Sequence, residues 1–254
     1  IDPEKIERAI TKNTRAIIPV HLTGRPASMN AINKLANKYK LHVVEDAAQA
    51  VGARYHGRRV GSLGAAAGFS LHPLKNLGVY GDGGLITSND KSLISELRLL
   101  RNHGLRDRDH CIIWGYNSRL DAVQAAFAGV KLSYLDEWNV RCRSIAARYR
   151  DSLSSFVSAP IDREWEECVY HNFVIRHERR DELMSFLKLN GVETRIHYPI
   201  PIHLQEVSKK YGYKSGDFPV AERCAATMVS LPIYPELTDE EVDYVIKVTQ
   251  AFFY

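Results

Sequence analysis

Ala16-Ile17-Ile18-Pro19-Val20, then Ser28 to Tyr39, then His42-Val43-Val44-Glu45-Asp46: the fold is decided by how these three stretches are read together. The first is a short apolar run ending at His21-Leu22-Thr23-Gly24, and it reads as a buried strand. The second opens on Ser28, a helix-capping residue type, and carries Met29, Ile32, Leu35, Ala36 and Tyr39 at helical spacing. The third is again a strand. Strand, helix and strand at this spacing form a βαβ unit and imply a parallel sheet. Working outward, Ala66–Ser70 and Gly84–Ser88 read as two more strands of that sheet. Asp2 and Pro3 stand as N-cap and first residue of a short helix over 2–10. Asp90 opens another helix that reaches about Arg101.

From Leu120 to about Leu153 the pattern is almost continuously helical and lacks Pro. It predicts one long helix that links the first domain to a second. Beyond it come strands at Val169 to Ile175 and Val192 to Tyr198, with helices at Asp181 to Leu189, Val220 to Val229 and Thr238 to Phe252. That mixture suits a smaller α+β domain. The expected division is 1–130 for the large domain and 131–254 for the linking helix and the small C-terminal domain.

Composition narrows the class. The chain is 45% hydrophobic and 25% charged, which excludes a disordered or membrane-embedded protein. The net charge of +4 comes from 34 basic and 30 acidic residues spread along the chain, so a nucleic-acid surface is not expected. Cys111, Cys142, Cys168 and Cys224 make no CxxC pair and have no His at zinc-ligand spacing, so no metal site is expected. They read as reduced thiols of a cytoplasmic protein. No apolar run approaches the ~18 residues of a membrane span, and no signal peptide is expected. The opening Ile1-Asp2-Pro3, without an initiator Met, reads as the middle of a protein.

Two places carry chemistry. Asp46 ends an apolar strand, and the carboxyl ends of strands in open α/β sheets face the ligand crevice. The plainer reading is that Asp46 caps a helix beginning at Ala47-Ala48-Gln49. Next comes Phe69-Ser70-Leu71-His72-Pro73-Leu74-Lys75-Asn76-Leu77-Gly78, then Gly81-Asp82-Gly83-Gly84. A lysine between a strand end and a Gly-rich turn is well placed as a fixed amine, and the hydroxyl of Ser70 is placed to bind a phosphate. Each feature alone is common.

Taken together these motifs resemble the pyridoxal-phosphate (PLP) dependent sugar aminotransferases of the DegT/DnrJ/EryC1/StrS family. The matching residues are Glu45-Asp46-Ala47-Ala48-Gln49, Phe69-Ser70 through Lys75, and Gly81-Asp82-Gly83-Gly84. Further matches are Arg101-Asn102-His103-Gly104, Gly115 through Asp121, Gln124-Ala125-Ala126, and His197-Tyr198-Pro199 with Pro201 and His203. The resemblance covers essentially the whole chain. It implies an α/β transferase of fold type I. An incomplete parallel/mixed sheet of the large domain lies between helices, with a smaller α+β C-terminal domain. It implies Lys75 as the Schiff-base lysine and proton shuttle, and Asp46 as the partner of the pyridine nitrogen. A carboxylate about 4 Å from a pyridinium, at an effective dielectric of ~20, is worth roughly 4 kcal/mol, or about three pKa units. That suffices to keep the ring protonated as an electron sink.

The same resemblance implies Gln49 at the cofactor's 3-hydroxyl, Ala48 against the ring face, and Ser70 on the phosphate. Asn117 is implied to reach the phosphate of the neighbouring subunit's cofactor, which makes the working form a homodimer with shared active sites. Arg119, His197 and Tyr198 are implied near the substrate; for His197-Tyr198 a structural turn before Pro199 is the competing reading. The implied reaction takes an amino group from an amino acid, glutamate foremost, to a keto sugar in amino-sugar, cell-surface polysaccharide or antibiotic-sugar biosynthesis. Asp82 resembles members that aminate carbon 3 of a nucleotide sugar, whereas those acting at carbon 4 more often carry Glu there. Rival readings are a 4-keto sugar aminotransferase, a non-catalytic regulatory or binding protein, and a dehydratase. Lys75 argues against the last, since dehydratase relatives carry His at that place. A generic nucleotide-binding protein is disfavoured because no GxGxxG or P-loop is present. Family members also carry on the order of a hundred residues ahead of the position matching Ile1, including a helix N-terminus that grips the phosphate. A chain confined to 1–254 is therefore expected to bind PLP poorly, with a sheet edge exposed.

Overall fold

The computed structural model describes all of residues 1–254. It divides into two compact units, one of residues 1–140 with 162–171 and one of 141–161 with 172–254.

The first unit opens with α1 (Pro3–Ala9), whose N-cap Asp2 accepts from the Glu4 N–H. Strand β1 (Ala16–Ile17) is shorter than the five residues expected, and the chain returns to the sheet through a single bridge between Val20 and Asp46. Pro19 lies between; with no N–H it cannot continue the ladder, although its carbonyl accepts from Asp46 N at 2.9 Å. Helix α2 (Met29–Tyr39) follows, with Ser28 at its N-cap position but without a side-chain capping bond. Its Met29, Ile32 and Ala36 share one face and are buried with Ile6, Ile17, Val43 and Tyr55. Strand β2 (His42–Asp46) lies parallel to β1, with Ala16 opposite His42.

A tight hairpin joins β3 (Arg54–Tyr55) to β4 (Arg58–Arg59) through His56 and Gly57, both at positive φ. Strand β5 (Ala66–Ser70) runs parallel to β2, and β6 (Gly84–Thr87) runs antiparallel to β5. The main sheet therefore has the order β1-β2-β5-β6 and is mixed. All four residues of β6 are exposed. Helix α3 (Lys91–Leu100) starts on an Asp90 cap as expected.

The long helix expected over 120–153 is two helices, α4 (Ala122–Leu132) and α5 (Leu135–Leu153). The break needs no proline. The Ser133 hydroxyl donates to the Val130 carbonyl at 2.7 Å, and Tyr134 N–H turns to Lys131 instead. A serine competing for a helix carbonyl weakens the run at this place. The two-residue β7 (Glu166–Glu167) completes a small sheet with β3 and β4.

In the second unit β8 (Phe173–Arg176) and β9 (Met228–Leu231) form an antiparallel pair. The strand expected from Val169 begins only at Phe173, because Tyr170 takes φ 47 and the Val169 N–H is given to Gly24. Val192 to Tyr198 is not a strand. Only Arg195 exchanges bonds with Ser230, and Pro199 and Pro201 offer no N–H groups for a ladder to extend into. Helices α6 (Arg180–Leu189), α7 (Pro219–Thr227) and α8 (Asp239–Ala251) match their predicted positions; α8 starts on a capping box of Thr238 and Glu241. No helix is long and apolar enough to cross a membrane. Cys168 of the first unit and Cys142 of the second are buried, whereas Cys111 is exposed. Burial pushes the Cys142 thiol up to about 11 and the Cys168 thiol up to about 12.

Candidate active site

The carboxyl ends of β2 and β5 lie side by side, with Asp46 opposite Gly68. No helix follows Asp46. The chain turns instead, Asp46 Oδ1 accepts from Ala48 N at 3.1 Å, and Ala47 N donates to Gly68 O across the sheet. The helix-cap reading of Asp46 is thereby corrected: it caps a turn at a strand end. Ala48 is half-buried in that turn and Gln49 is buried beyond it.

Ser70 is the last residue of β5, and its Oγ accepts from His72 N at 3.2 Å. From there the chain runs in a closed loop. Leu71 donates to Gly83 and accepts from Val79, and Lys75 N donates to His72 O. Buried Leu71, Leu77 and Val79 anchor the loop with Leu135. Gly78 is obligatory, since a Cβ there would lie 2.4 Å from the Pro73 carbonyl oxygen. Asn76, next to Lys75, donates through Nδ2 to Asn139 Oδ1 at 3.1 Å and to Val169 O at 3.0 Å. On the far side, Gln124 of α4 pairs with both main-chain groups of Tyr80, and Lys131 donates to Gly78 O at 2.8 Å.

Lys75 thus extends from a loop fixed on several sides, and it is half-buried. Burial holds its amine below the usual lysine range, while the Asp46 carboxylate pulls the other way. Asp46 and Ser70 end neighbouring strands, Ala48 and Gln49 follow Asp46, and Lys75 lies within the field of Asp46. Asn117 and Arg119 are on an exposed segment. Asn117 bridges Asn102, and Arg119 donates to the Asn102 side chain at 3.3 Å. His197 and Tyr198 belong to the second unit. His197 Nδ1 lies 2.8 Å from Ser230 Oγ, and Tyr198 is exposed.

Sequence reasoning missed the support beneath Asp46. Glu45 is fully buried and accepts from Gly61 N, Leu63 N and Gly64 N at 2.7–2.8 Å. Its fourth partner is His21 Nε2 at 3.0 Å. Burial alone would raise the Glu45 carboxyl, but these four donors outweigh it and hold it below the ordinary value. His21 Nδ1 accepts from Ala27 N, which fixes the proton on Nε2. A charged residue at an inward-facing place in an apolar strand was the available signal. Asn76 had none, and Gln124 stood only in a family-like motif that gave no sign of its partner Tyr80.

The DegT/DnrJ/EryC1/StrS aminotransferase family matches residues 1–250. A pleiotropic regulatory protein of Geobacillus stearothermophilus is 45% identical over 257 residues, taking in 100% of this chain and 69% of that protein. A dTDP-3-amino-3,4,6-trideoxy-alpha-D-glucose transaminase of Streptomyces venezuelae is 46% identical over 239 residues, 93% of this chain and 63% of that one. Among solved structures, S. venezuelae DesV in complex with a ketimine intermediate superimposes with a TM-score of 0.97 at 44% identity, covering 99% of this chain and 68% of that chain. The chain thus spans about two thirds of the length of these relatives. With the motifs around Asp46 and Lys75 in place and the match running almost end to end, the chain belongs to the DegT/DnrJ/EryC1/StrS aminotransferase family.

Proposed function

We propose that this chain serves the PLP-dependent transfer of an amino group from an amino acid, glutamate foremost, to the carbonyl of a nucleotide-linked 3-keto hexose. The observation that carries the reading is Lys75: a half-buried amine on a fixed loop, made less basic by burial, within the field of the Asp46 carboxylate. The donor set fits PLP: an amine, a carboxylate, the Ser70 hydroxyl for a phosphate, and the Gln49 amide. When bound, the cofactor supplies the electron sink and carries the amino group between donor and acceptor. Asp46 would hold the pyridine nitrogen protonated, Ala48 would lie on the ring side, and Gln49 would be the group for the ring hydroxyl. Lys75 would anchor the cofactor and serve as the amine that moves the proton. Its lowered basicity keeps a larger share of the amine neutral, as proton abstraction requires.

We assign substrate contacts to Arg119, His197 and Tyr198. Carbon 3 is favoured by Asp82 and by the 3-amino sugar in the name of the S. venezuelae relative. The working form is a homodimer in which Asn117 reaches the partner's phosphate site, and the exposure of Asn117 suits that role. Mixing Lys75→Ala with Asn117→Ala subunits tests it, since hybrid dimers should regain one intact site. The regulatory name of the G. stearothermophilus relative favours a second reading, a PLP-binding regulator without turnover.

The deciding experiment is an absorbance spectrum with and without PLP, repeated with Lys75→Ala. A band beyond about 400 nm that shifts with glutamate and is absent from the variant supports the transaminase. A band that no amino donor shifts supports the regulator. The reading fails if the protein, extended to the length of its relatives, shows no band at all.

A further inference from the structure

A cavity of about 410 Å³ lies wholly within the second unit. Its walls come from three places. The stretch after α5 supplies Ser155, Phe156 and Ser158, the end of β8 supplies Arg176 and the following His177, and α7 supplies Arg223. Main-chain bonds tie these walls together. Ser158 and Arg176 exchange N–H to O bonds at 3.0 and 2.9 Å, and His177 N donates to the carbonyl of Thr227, the last residue of α7, at 3.0 Å. The Phe156 ring is stacked on Phe253, with centroids 5.4 Å apart. None of these residues belongs to the proposed cofactor site, so the cavity is independent of that reading.

Two of the wall residues are cations without an anion. Arg176 gives its guanidinium N–H groups to Ser158 Oγ at 3.1 Å and to Cys224 Sγ at 3.7 Å, and the exposed Arg223 side chain has no partner. The next arginines along the chain, Arg179 and Arg180, are paired with Glu182 and Asp181. Glu178 is the one carboxylate among the lining residues, so two guanidinium charges still leave the cavity positive. A guanidinium presents a fork of donors that matches phosphoryl oxygens, and serine hydroxyls donate to the same oxygens. His177 adds a donor: its Nδ1 accepts from Arg179 N at 3.1 Å, which leaves the proton on Nε2. A volume of about 410 Å³ takes a whole small molecule, and a bare phosphate would leave most of it empty. We propose that this cavity binds a phosphorylated small molecule, with the phosphoryl group on Arg176, Arg223 and the Ser155 and Ser158 hydroxyls and the organic part against Phe156.

Isothermal titration calorimetry tests this with three probes: glucose 6-phosphate, thymidine monophosphate and inorganic phosphate, all at an ionic strength of about 0.15 M. At least one of the two organic phosphates is expected to bind about tenfold or more tightly than inorganic phosphate, and which one does so identifies the organic part. Arg223→Gln removes one charge-assisted bond at an exposed position that holds nothing in the fold, and should weaken that binding by about tenfold or more. Ser155→Trp fills the cavity while keeping both cations, and should abolish it. Arg108→Gln, at an exposed arginine of the first unit, should leave it unchanged. An organic phosphate that binds no more tightly than inorganic phosphate, or no heat with any probe, overturns the site. Equal losses in Arg108→Gln and Arg223→Gln reveal diffuse charge attraction and overturn it too. Binding that survives Ser155→Trp but is lost in Ser70→Ala places the probe at the proposed cofactor site and overturns the cavity's role.

Discussion

Glu45→Gln changes one oxygen for one amino group at a fully buried place, and its effect can be worked out bond by bond. Glu45 Oε1 accepts from Leu63 N and Gly64 N, and Oε2 accepts from Gly61 N and His21 Nε2. A glutamine can keep the first pair. Its amino group then faces two donors, Gly61 N–H and His21 Nε2–H. The histidine cannot help by moving its proton to Nδ1, because Nδ1 accepts from Ala27 N. Turning the glutamine over only moves the conflict to Leu63 and Gly64. Two buried donors lose their partner in every arrangement, at about 1–3 kcal/mol each, so the expected loss is ~2–4 kcal/mol after local relaxation. Urea unfolding at pH 7 and 25 °C measures it from the midpoint and slope. The sign of the pH dependence follows from the lowered Glu45 value. The ionised carboxylate stabilises the fold above its unfolded-state value, and that contribution disappears as pH falls through the lower folded-state value. The gap between parent and variant should therefore narrow in acid. A loss below ~1 kcal/mol at pH 7, or a gap that widens in acid, refutes the reasoning.

Asn76→Ala removes bonds to Asn139 and Val169, and should cost about 1–3 kcal/mol in the same assay while weakening PLP binding by loosening Lys75. A variant with unchanged cofactor affinity would detach Asn76 from that role. Gly78→Ala puts a methyl 2.4 Å from a carbonyl oxygen, so the Lys75 loop must open and the band beyond about 400 nm should weaken at matched PLP concentration. In the second unit, Glu222 is held down to about 2, first by Gly216 N and then by His203. Its contribution is present above the unfolded-state value near 4.5 and lost as pH falls toward 2; melting curves of the parent and Glu222→Gln should converge over that interval.

The βαβ unit was legible because its signals agree: Met29, Ile32 and Ala36 share a helix face, and the alternation in β2 buries Val43. What was not legible depends on single bonds between distant residues. The Ser133 hydroxyl bonded at the end of α4 looks like any exposed serine, and the alternation at Val192 and Thr194 mimics a strand that only Arg195 joins. At the site, Lys75 and Asp46 stood out through motif, whereas Thr23, Asn76 and Gln124 act through partners 26 to 93 positions away. No periodicity encodes such pairs. Glu45 falls between: its charge in an apolar strand was visible, its four donors were not.

The two buried thiols offer a use of their own. Each unit holds one, Cys168 in the first and Cys142 in the second, and burial keeps both protonated at neutral pH. An alkylating reagent reacts with the thiolate, so neither can be modified until its surroundings open. Labelling followed by mass spectrometry would therefore time the opening of each unit separately, without a probe or a substitution. Cys111, exposed, would react at once and mark the zero of that clock.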